Sequence, residues 1–223
     1  MSANSPSDLE SIYRGRFELS RAYRQRVWSV LVPEFFQREV GPTDAVLDLG
    51  CGYGDFINHL RCGRRYGMDL NPRASRFLDS AVTFLEQDCS NKWPLANDSL
   101  QVIFTSNFFE HLSDRATLGL VLDEGVRCLA PGGRLIAMGP NVKYLPGLYW
   151  EFWDHHLPLT ENALREAMET RGMQITTCYG KFLPYTMVKH INYPMPCLRL
   201  YLRLPVLWHI FGKQFLVIAR KSA

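Results

Sequence analysis

Two places in this chain combine residue types and spacing that could do chemistry. One is a glycine-rich turn followed by further acids. The other is a set of histidines among aromatics. In "VLDLGCGYGDF", Val46 to Phe56, an apolar run holds Asp48 and then opens into Gly50, Cys51, Gly52, Tyr53 and Gly54. Glycine there lets the backbone approach a ligand with no Cβ in the way. The spacing is G-x-G-x-G, so it lacks the wider step of a dinucleotide fingerprint, and no Gly-Lys-Ser/Thr follows as a P-loop needs. An acid inside the run suits a cationic ligand better than a phosphate. Asp69, followed by Leu70, ends "YGMDLNP", and Asp88 stands before Cys89 in "LEQDCS".

These residues need a scaffold. "AVLDL" reads as a buried parallel strand. "RRYGMDL", "VTFLEQD", "SLQVIFTS" and "RLIAMGP" read as four more, with "QITTCYG" and "QFLVIAR" as a sixth and seventh. Helical patterns alternate with them: residues 9–40, "DFINHL", a stretch opened by Asn71-Pro72, "TLGLVLDEGVRCLA" ended by "PGG", and "TENALREAMETRG" with Thr160 as cap and Gly172 as stop. The alternation predicts a doubly wound α/β fold. Its seven-stranded sheet is mostly parallel with an antiparallel last strand, flanked by helices. Residues 1–43 form a helical cap, 44–182 the core, 183–212 a lid-like insertion and 213–223 the last strand.

In such a sheet ligands sit beyond the carboxyl ends of the strands. There Asp69 can accept both hydroxyls of a ribose. Asp88 can accept from an exocyclic amine while the backbone at Cys89 faces an adenine edge. A ligand with a ribose, an adenine and an ammonium but no phosphate satisfies all three acids, and S-adenosylmethionine (SAM) is one. In order and spacing, "VLDLGCGYG", "GMDLNP", "EQDCS", "IFTSNFFEHL" and "VRCLAPGGRLIAMGPN" resemble the motifs of class I SAM-dependent methyltransferases over residues 44–180. The resemblance implies a Rossmann-like fold. It implies that Gly50 to Gly54 carry the methionine moiety, that Asp69 binds the ribose with Leu70 beside it, and that Asp88 and Cys89 bind the adenine. Ser106 and Asn107 should line the floor near the sulfonium. Cys51 and Cys89 serve as small fillers whose backbone matters more than their sulfur.

Methyl transfer is an in-line displacement in which the protein aligns the nucleophile and, for a hydroxyl, accepts its proton. His111 in "NFFEHL", oriented by Glu110, is one candidate base; starting a helix and bonding to backbone is its other reading. "YWEFWDHHLPLT", Tyr149 to Thr160, supplies His155 and His156, with Asp154 to orient one of them and Tyr149 and Trp153 as acceptor contacts. The alternative is a polar corner packed under Trp150 and Trp153. Adjacent histidines point apart and do not grip one metal together. Some metal-dependent O-methyltransferases of similar fold carry a second acid where this chain has Asn107, so no metal is expected. Tyr13 and Arg16 on the N-terminal helix are further candidates, an arginine there pairing with the methionine carboxylate; a solvated basic face is the alternative.

The bulk properties bound the partners. With 47% hydrophobic and 21% charged residues the 223-residue chain reads as an ordinary soluble globular protein. A net charge of +3 with no Lys/Arg block argues against nucleic acid. Six scattered cysteines without a CxxC pair, and no signal peptide, place it in the reducing cytoplasm. No apolar run reaches the ~18 residues needed to span a bilayer. In the insertion, Arg199 and Arg203 share a helical face before Pro205; lid, dimer surface and membrane contact are all open, the lid favoured. The expected function is methylation of a small-molecule hydroxyl, in a sugar or secondary metabolite. N- or C-methylation, a lipid-linked acceptor and a non-catalytic SAM-binding protein are the alternatives.

Overall fold

The computed structural model describes residues 21–185 and 192–222. Seven strands form one sheet: β1 (Ala45–Leu49), β2 (Arg64–Asp69), β3 (Val82–Glu86), β4 (Leu100–Ser106), β5 (Leu129–Pro140), β6 (Met173–Tyr179) and β7 (Gln214–Lys221). Their order is β3-β2-β1-β4-β5-β7-β6. The first five in that order pair in parallel, and β7 runs antiparallel to both β5 and β6. The expected sheet, with its reversed last strand, is therefore observed. Chain order turns back between β1 and β4, which opens a crevice at their carboxyl ends.

Both faces of the sheet are covered, and the burial pattern explains the sequence. All five residues of β1 are buried. Ala45, Leu47 and Leu49 pack with helices α2 (Arg115–Cys128) and α3 (Glu161–Glu169), while Val46 packs on the opposite side. That second side carries α1 (Arg21–Glu34), α4 (Met195–Arg203) and α5 (Pro205–Phe211). Its heart is aromatic: Phe56 and Phe104 stack at 3.7 Å, and Trp28 and Phe36 meet them edge-on. Asp48 shares the Val46 side by the two-residue period of a strand, so a carboxylate is forced into the interior.

Four helical expectations are corrected. Within the predicted helix of residues 9–40 the described part ends at Glu34, just after Pro33, and a 3-10 turn follows at Phe36–Glu39; residues 9–20 lie outside the described residues. "DFINHL" makes only a 3-10 turn at Ile57–His59, and Pro72–Phe77 is likewise 3-10, capped by the Asn71 side chain on the Arg73 N–H. Both segments join parallel strands through connections near the shortest such crossovers, which leaves no room for a full helix. "PGG" does not separate helix from strand. α2 stops at Cys128 and β5 begins at once, with a bulge between the pairs Leu100–Leu129 and Val102–Arg134. Where α3 was expected, Thr160 caps it through the Ala163 N–H and Gly172 follows with φ +74°.

Phe104 is fully buried at the centre of the aromatic layer. Phe104→Ala is expected to cost about 3–5 kcal/mol. Urea unfolding followed by tryptophan fluorescence would measure this, and a cost below about 1 kcal/mol would mean that the layer does not hold α1 to the sheet.

Candidate active site

The glycine turn at the end of β1 is set by its own backbone. Gly50, Gly52 and Gly54 have φ of +71°, +50° and +70°. The amides of Gly50 and Cys51 both donate to the carbonyl of Met68 in β2, at 2.9 and 3.0 Å. A Cβ on Gly50 would run into the ring of Phe108, and one on Gly54 would lie 2.7 Å from Asn58 Nδ2 and from Leu78 Cδ2. Asp69 ties this turn to the next one: its Oδ2 accepts from the Gly52 N–H and its Oδ1 from the Asn71 N–H, both at 2.8 Å. Asp48 accepts from the Ile57 N–H. Burial pushes the Asp48 carboxyl well above the usual range, and it raises Asp69 too, against the N–H groups of Asn71, Gly52 and Leu70. Half-buried Leu70 follows directly at the end of β2.

Asp88 accepts at Oδ1 from both the N–H and the hydroxyl of Ser90, at 2.9 and 2.7 Å, which fixes the turn after β3. The Cys89 carbonyl accepts from the indole of buried Trp93 at 2.8 Å. Burial pushes the Cys51 thiol far up and the Cys89 thiol up to about 12, so both stay neutral. At the end of β4, Asn107 stands in the left-handed region at φ +51°. Its Nδ2 donates to Ser106 Oγ at 2.9 Å, and its buried Oδ1 has no partner. Among the described residues this acceptor is unpaired, and a left-handed residue with such an acceptor beside Phe108 is an arrangement that a ligand could complete.

The histidines form a second wall. The amides of His156 and Leu157 both donate to the Glu110 carbonyl, at 2.8 and 3.1 Å, which clamps the 154–157 segment onto the turn after β4. His111 Nδ1 then lies 2.9 Å from the main-chain oxygen of Asp154 and 3.3 Å from its Oδ2. A carbonyl oxygen can only accept, so Nδ1 carries a proton, and in the neutral imidazole Nε2 is then the nitrogen with the lone pair. The His155 ring stacks on Phe152 at 4.8 Å and meets His111 edge-on at 5.1 Å. Glu110 is buried, with Oε2 near Gly139 of β5. Burial first, and the nearby charge of Asp154, push its carboxyl up to about 8. Among the described residues, Glu110, His111 and His155 bring ligand atoms within 4.8 Å of one another.

Residues 47–137 match the family model described as "Methyltransferase domain". Over residues 47–137 the chain thus carries the sequence pattern of a methyltransferase domain. That match, with the like fold of SAM-dependent methyltransferases, implies SAM as cofactor. Solved structures of like fold include an Archaeoglobus fulgidus SAM-dependent methyltransferase, 17% identical with TM-score 0.68, covering 91% of this chain and 98% of that one. A chain from the Haloferax volcanii complex of the Trm112 methyltransferase activator with a methyltransferase is 19% identical, TM-score 0.67, covering 92% and 94%. The N-methyltransferase NodS from Bradyrhizobium japonicum is 16% identical, TM-score 0.57, covering 92% and 97%. At these identities the likeness is one of fold. No curated protein sequence matches the chain.

The residues present fit the implied cofactor. The glycine cradle leaves no space for a side chain, the acids suit an ammonium, and the Asn107 oxygen awaits a donor. Other expectations change. Asp154, expected to orient His155 or His156, lies against His111 Nδ1. Tyr149 is fully buried with its hydroxyl donating to the Leu157 carbonyl, so it shapes the wall from behind and touches no acceptor. Trp153 is 82% exposed and stands outside the pocket. His156 is half-buried, and its Nε2 has no partner. Tyr13 and Arg16 lie outside the described residues. The sequence reading missed Arg24, whose guanidinium pairs with buried Asp55 just after the glycines, and Arg21, which sits over Phe77 at 4.5 Å. Helical spacing from Tyr23 was the available signal.

Two measurements follow. Calorimetric titration with S-adenosylhomocysteine should show affinity lost by at least about ten-fold in Gly50→Ala and Asp69→Ala, and nearly kept in Cys51→Ala, where the backbone does the work. Equal loss in all three would remove the loop assignment. Glu110 gives a pH signature. The unfolded chain ionises this group near 4.5, whereas the folded chain holds the proton to about 8, so stability falls as pH rises through that window. The unfolding temperature of Glu110→Gln relative to the native protein should therefore climb from about pH 5 to about pH 8. A difference that stays flat with pH would show the carboxyl is not buried as a neutral group.

Proposed function

We propose that this methyltransferase methylates a hydroxyl on a small molecule, a sugar or secondary metabolite, with His111 as the base. Bound SAM supplies an electrophilic methyl group on a sulfonium. Asp69, with Leu70 beside it, would hold the ribose, Asp88 with the Cys89 backbone the adenine, and the Gly50–Gly54 turn with Asp48 the methionine end. Ser106 and Asn107 would face the reacting centre. The observation that carries the reading is the pairing of His111 Nδ1 with Asp154. With Nδ1 protonated, the neutral imidazole would take the acceptor's proton at Nε2, and Asp154 places a carboxylate where the resulting imidazolium needs one. His155 and His156 then bound the acceptor side. An amine acceptor needs little help of this kind, so a dedicated base favours the hydroxyl over the nitrogen that NodS is named for.

No metal enters this reading: His111 is already turned by Asp154, and Asn107 replaces a second acid. A small-molecule acceptor is favoured over nucleic acid because the net charge is only +3. Free cysteines, none bridged among the described residues, fit a cytoplasmic setting. No described helix is long and apolar enough to cross a membrane. A protein partner in the manner of the Haloferax activator complex would be a further feature of the same reading.

Release of S-adenosylhomocysteine over a panel of phenols, glycosides and amines tests it. Hydroxyl acceptors should turn over, and His111→Ala should lower kcat by about 10²–10⁴ with S-adenosylhomocysteine affinity unchanged. Asp154→Asn should act in the same direction and shift the acid limb of the pH profile, because it disturbs the imidazole's proton. Turnover of amines alone would overturn the hydroxyl assignment. Dialysis against EDTA should leave activity intact; loss restored by zinc or manganese would instead make Glu110, His111 and His155 ligands.

A further inference from the structure

After Glu169 the chain contains no Asp or Glu, yet it holds eight of the 25 Lys and Arg residues. This one-signed stretch includes α4 and α5, which are anchored to the body of the protein. Arg199 pairs with Glu34 of α1 at 2.7 Å, the Tyr193 N–H donates to the Tyr23 hydroxyl at 2.9 Å, and Tyr201, Leu202 and Trp208 are buried. The outer side of the two helices is apolar. Leu200, Val206, Ile210 and Phe211 are each more than half exposed, and Leu204 is 40% exposed. Cations surround them. Arg203 is 75% exposed and shares Glu34 with Arg199, Lys213 is exposed next to α5, and Lys181 reaches the His209 carbonyl.

From this we propose that α4 and α5 form a docking face for an anionic lipid bilayer. A patch of branched and aromatic side chains with a cationic rim supplies the two terms that hold a short amphipathic segment at a membrane surface: buried apolar area and attraction to acidic headgroups. Arginine stems are long enough to lie along the apolar chains while their heads stay among phosphates. A second copy of the chain fits the face badly. A two-fold contact would bring the cationic rim against itself, and no acid in residues 170–223 is there to answer it. A protein partner would need matched shape and matched acids, whereas a bilayer needs only the two properties displayed. The proposal stands whichever acceptor is methylated.

Flotation of the full chain with vesicles of phosphatidylcholine and phosphatidylglycerol tests it, with pure phosphatidylcholine as comparison. Binding is expected to the anionic vesicles and to fall by at least about ten-fold in high salt, in Arg203→Glu, and in Ile210→Ser with Phe211→Ser. S-adenosylhomocysteine titration of the same variants should match the native chain, which shows that they are folded. Failure of the folded native chain to float with anionic vesicles would overturn the proposal, as would binding that ignores these substitutions. Light scattering that shows a dimer broken by the same substitutions would reassign the face to self-association.

Discussion

One carbonyl sets the geometry on which the cofactor side depends. The oxygen of Met68 accepts from two successive amides, Gly50 and Cys51, so the chain leaving β1 must swing across the end of β2. Residues of ordinary handedness cannot follow that course next to Phe108, which is why glycines stand at Gly50, Gly52 and Gly54. The same swing delivers the Gly52 N–H to Asp69, whose other oxygen closes the turn at Asn71. Two strand ends and one acid become a single rigid edge. Phe108 on β4's turn then packs where a glycine Cβ would have been, and this ties the third strand end to the same edge. The orientation of His111, three residues later, inherits that placement.

The acids around this edge are held at a cost. Asp48 is buried because a strand alternates sides, and its carboxyl is pushed up accordingly. Glu110 is buried beneath the histidine wall with its proton retained to about 8. Structural carboxylates are usually offset by a cation, and Arg24 does this for Asp55. Among the described residues neither Asp48 nor Asp69 has an ion pair. Uncompensated burial at a crevice is the arrangement expected where a ligand completes the charge balance.

What could be read in the sequence follows the range over which each feature is encoded. The glycine spacing, the acids at strand ends and the seven strands are local patterns, and all lie where they were expected. Helix content after β1 and β2 was overestimated because connection length, not side-chain periodicity, decided it. The His111–Asp154 pairing joins residues 43 apart in the chain. It depends on backbone bonds from His156 and Leu157 to the Glu110 carbonyl, and no spacing announces those. Tyr149 and Trp153 show the same limit from another side. Tyr149 lies in a four-residue 3-10 segment and Trp153 in the turn after it, too short a run for a period to separate the inward ring from the outward one.

Charge is distributed along the chain as unevenly as strain. Acids cluster where the cofactor's positive groups belong, and the last quarter of the sequence carries only cations. Had those cations reached the glycine edge, they would have neutralised Asp48 and Asp69 and made the pocket indifferent to an ammonium. Two of them, Arg199 and Arg203, are held on α4, which lies on α1 and gives both the same acid, Glu34. Among the described residues, an arginine that pairs with an acid of the edge comes from α1 and takes Asp55. Keeping the two fields apart leaves the acids at the sheet's carboxyl end uncompensated and the cations of the last quarter facing outward. A fold in which these charges met would gain a few surface ion pairs, each worth under about 1 kcal/mol, and would lose both separated fields.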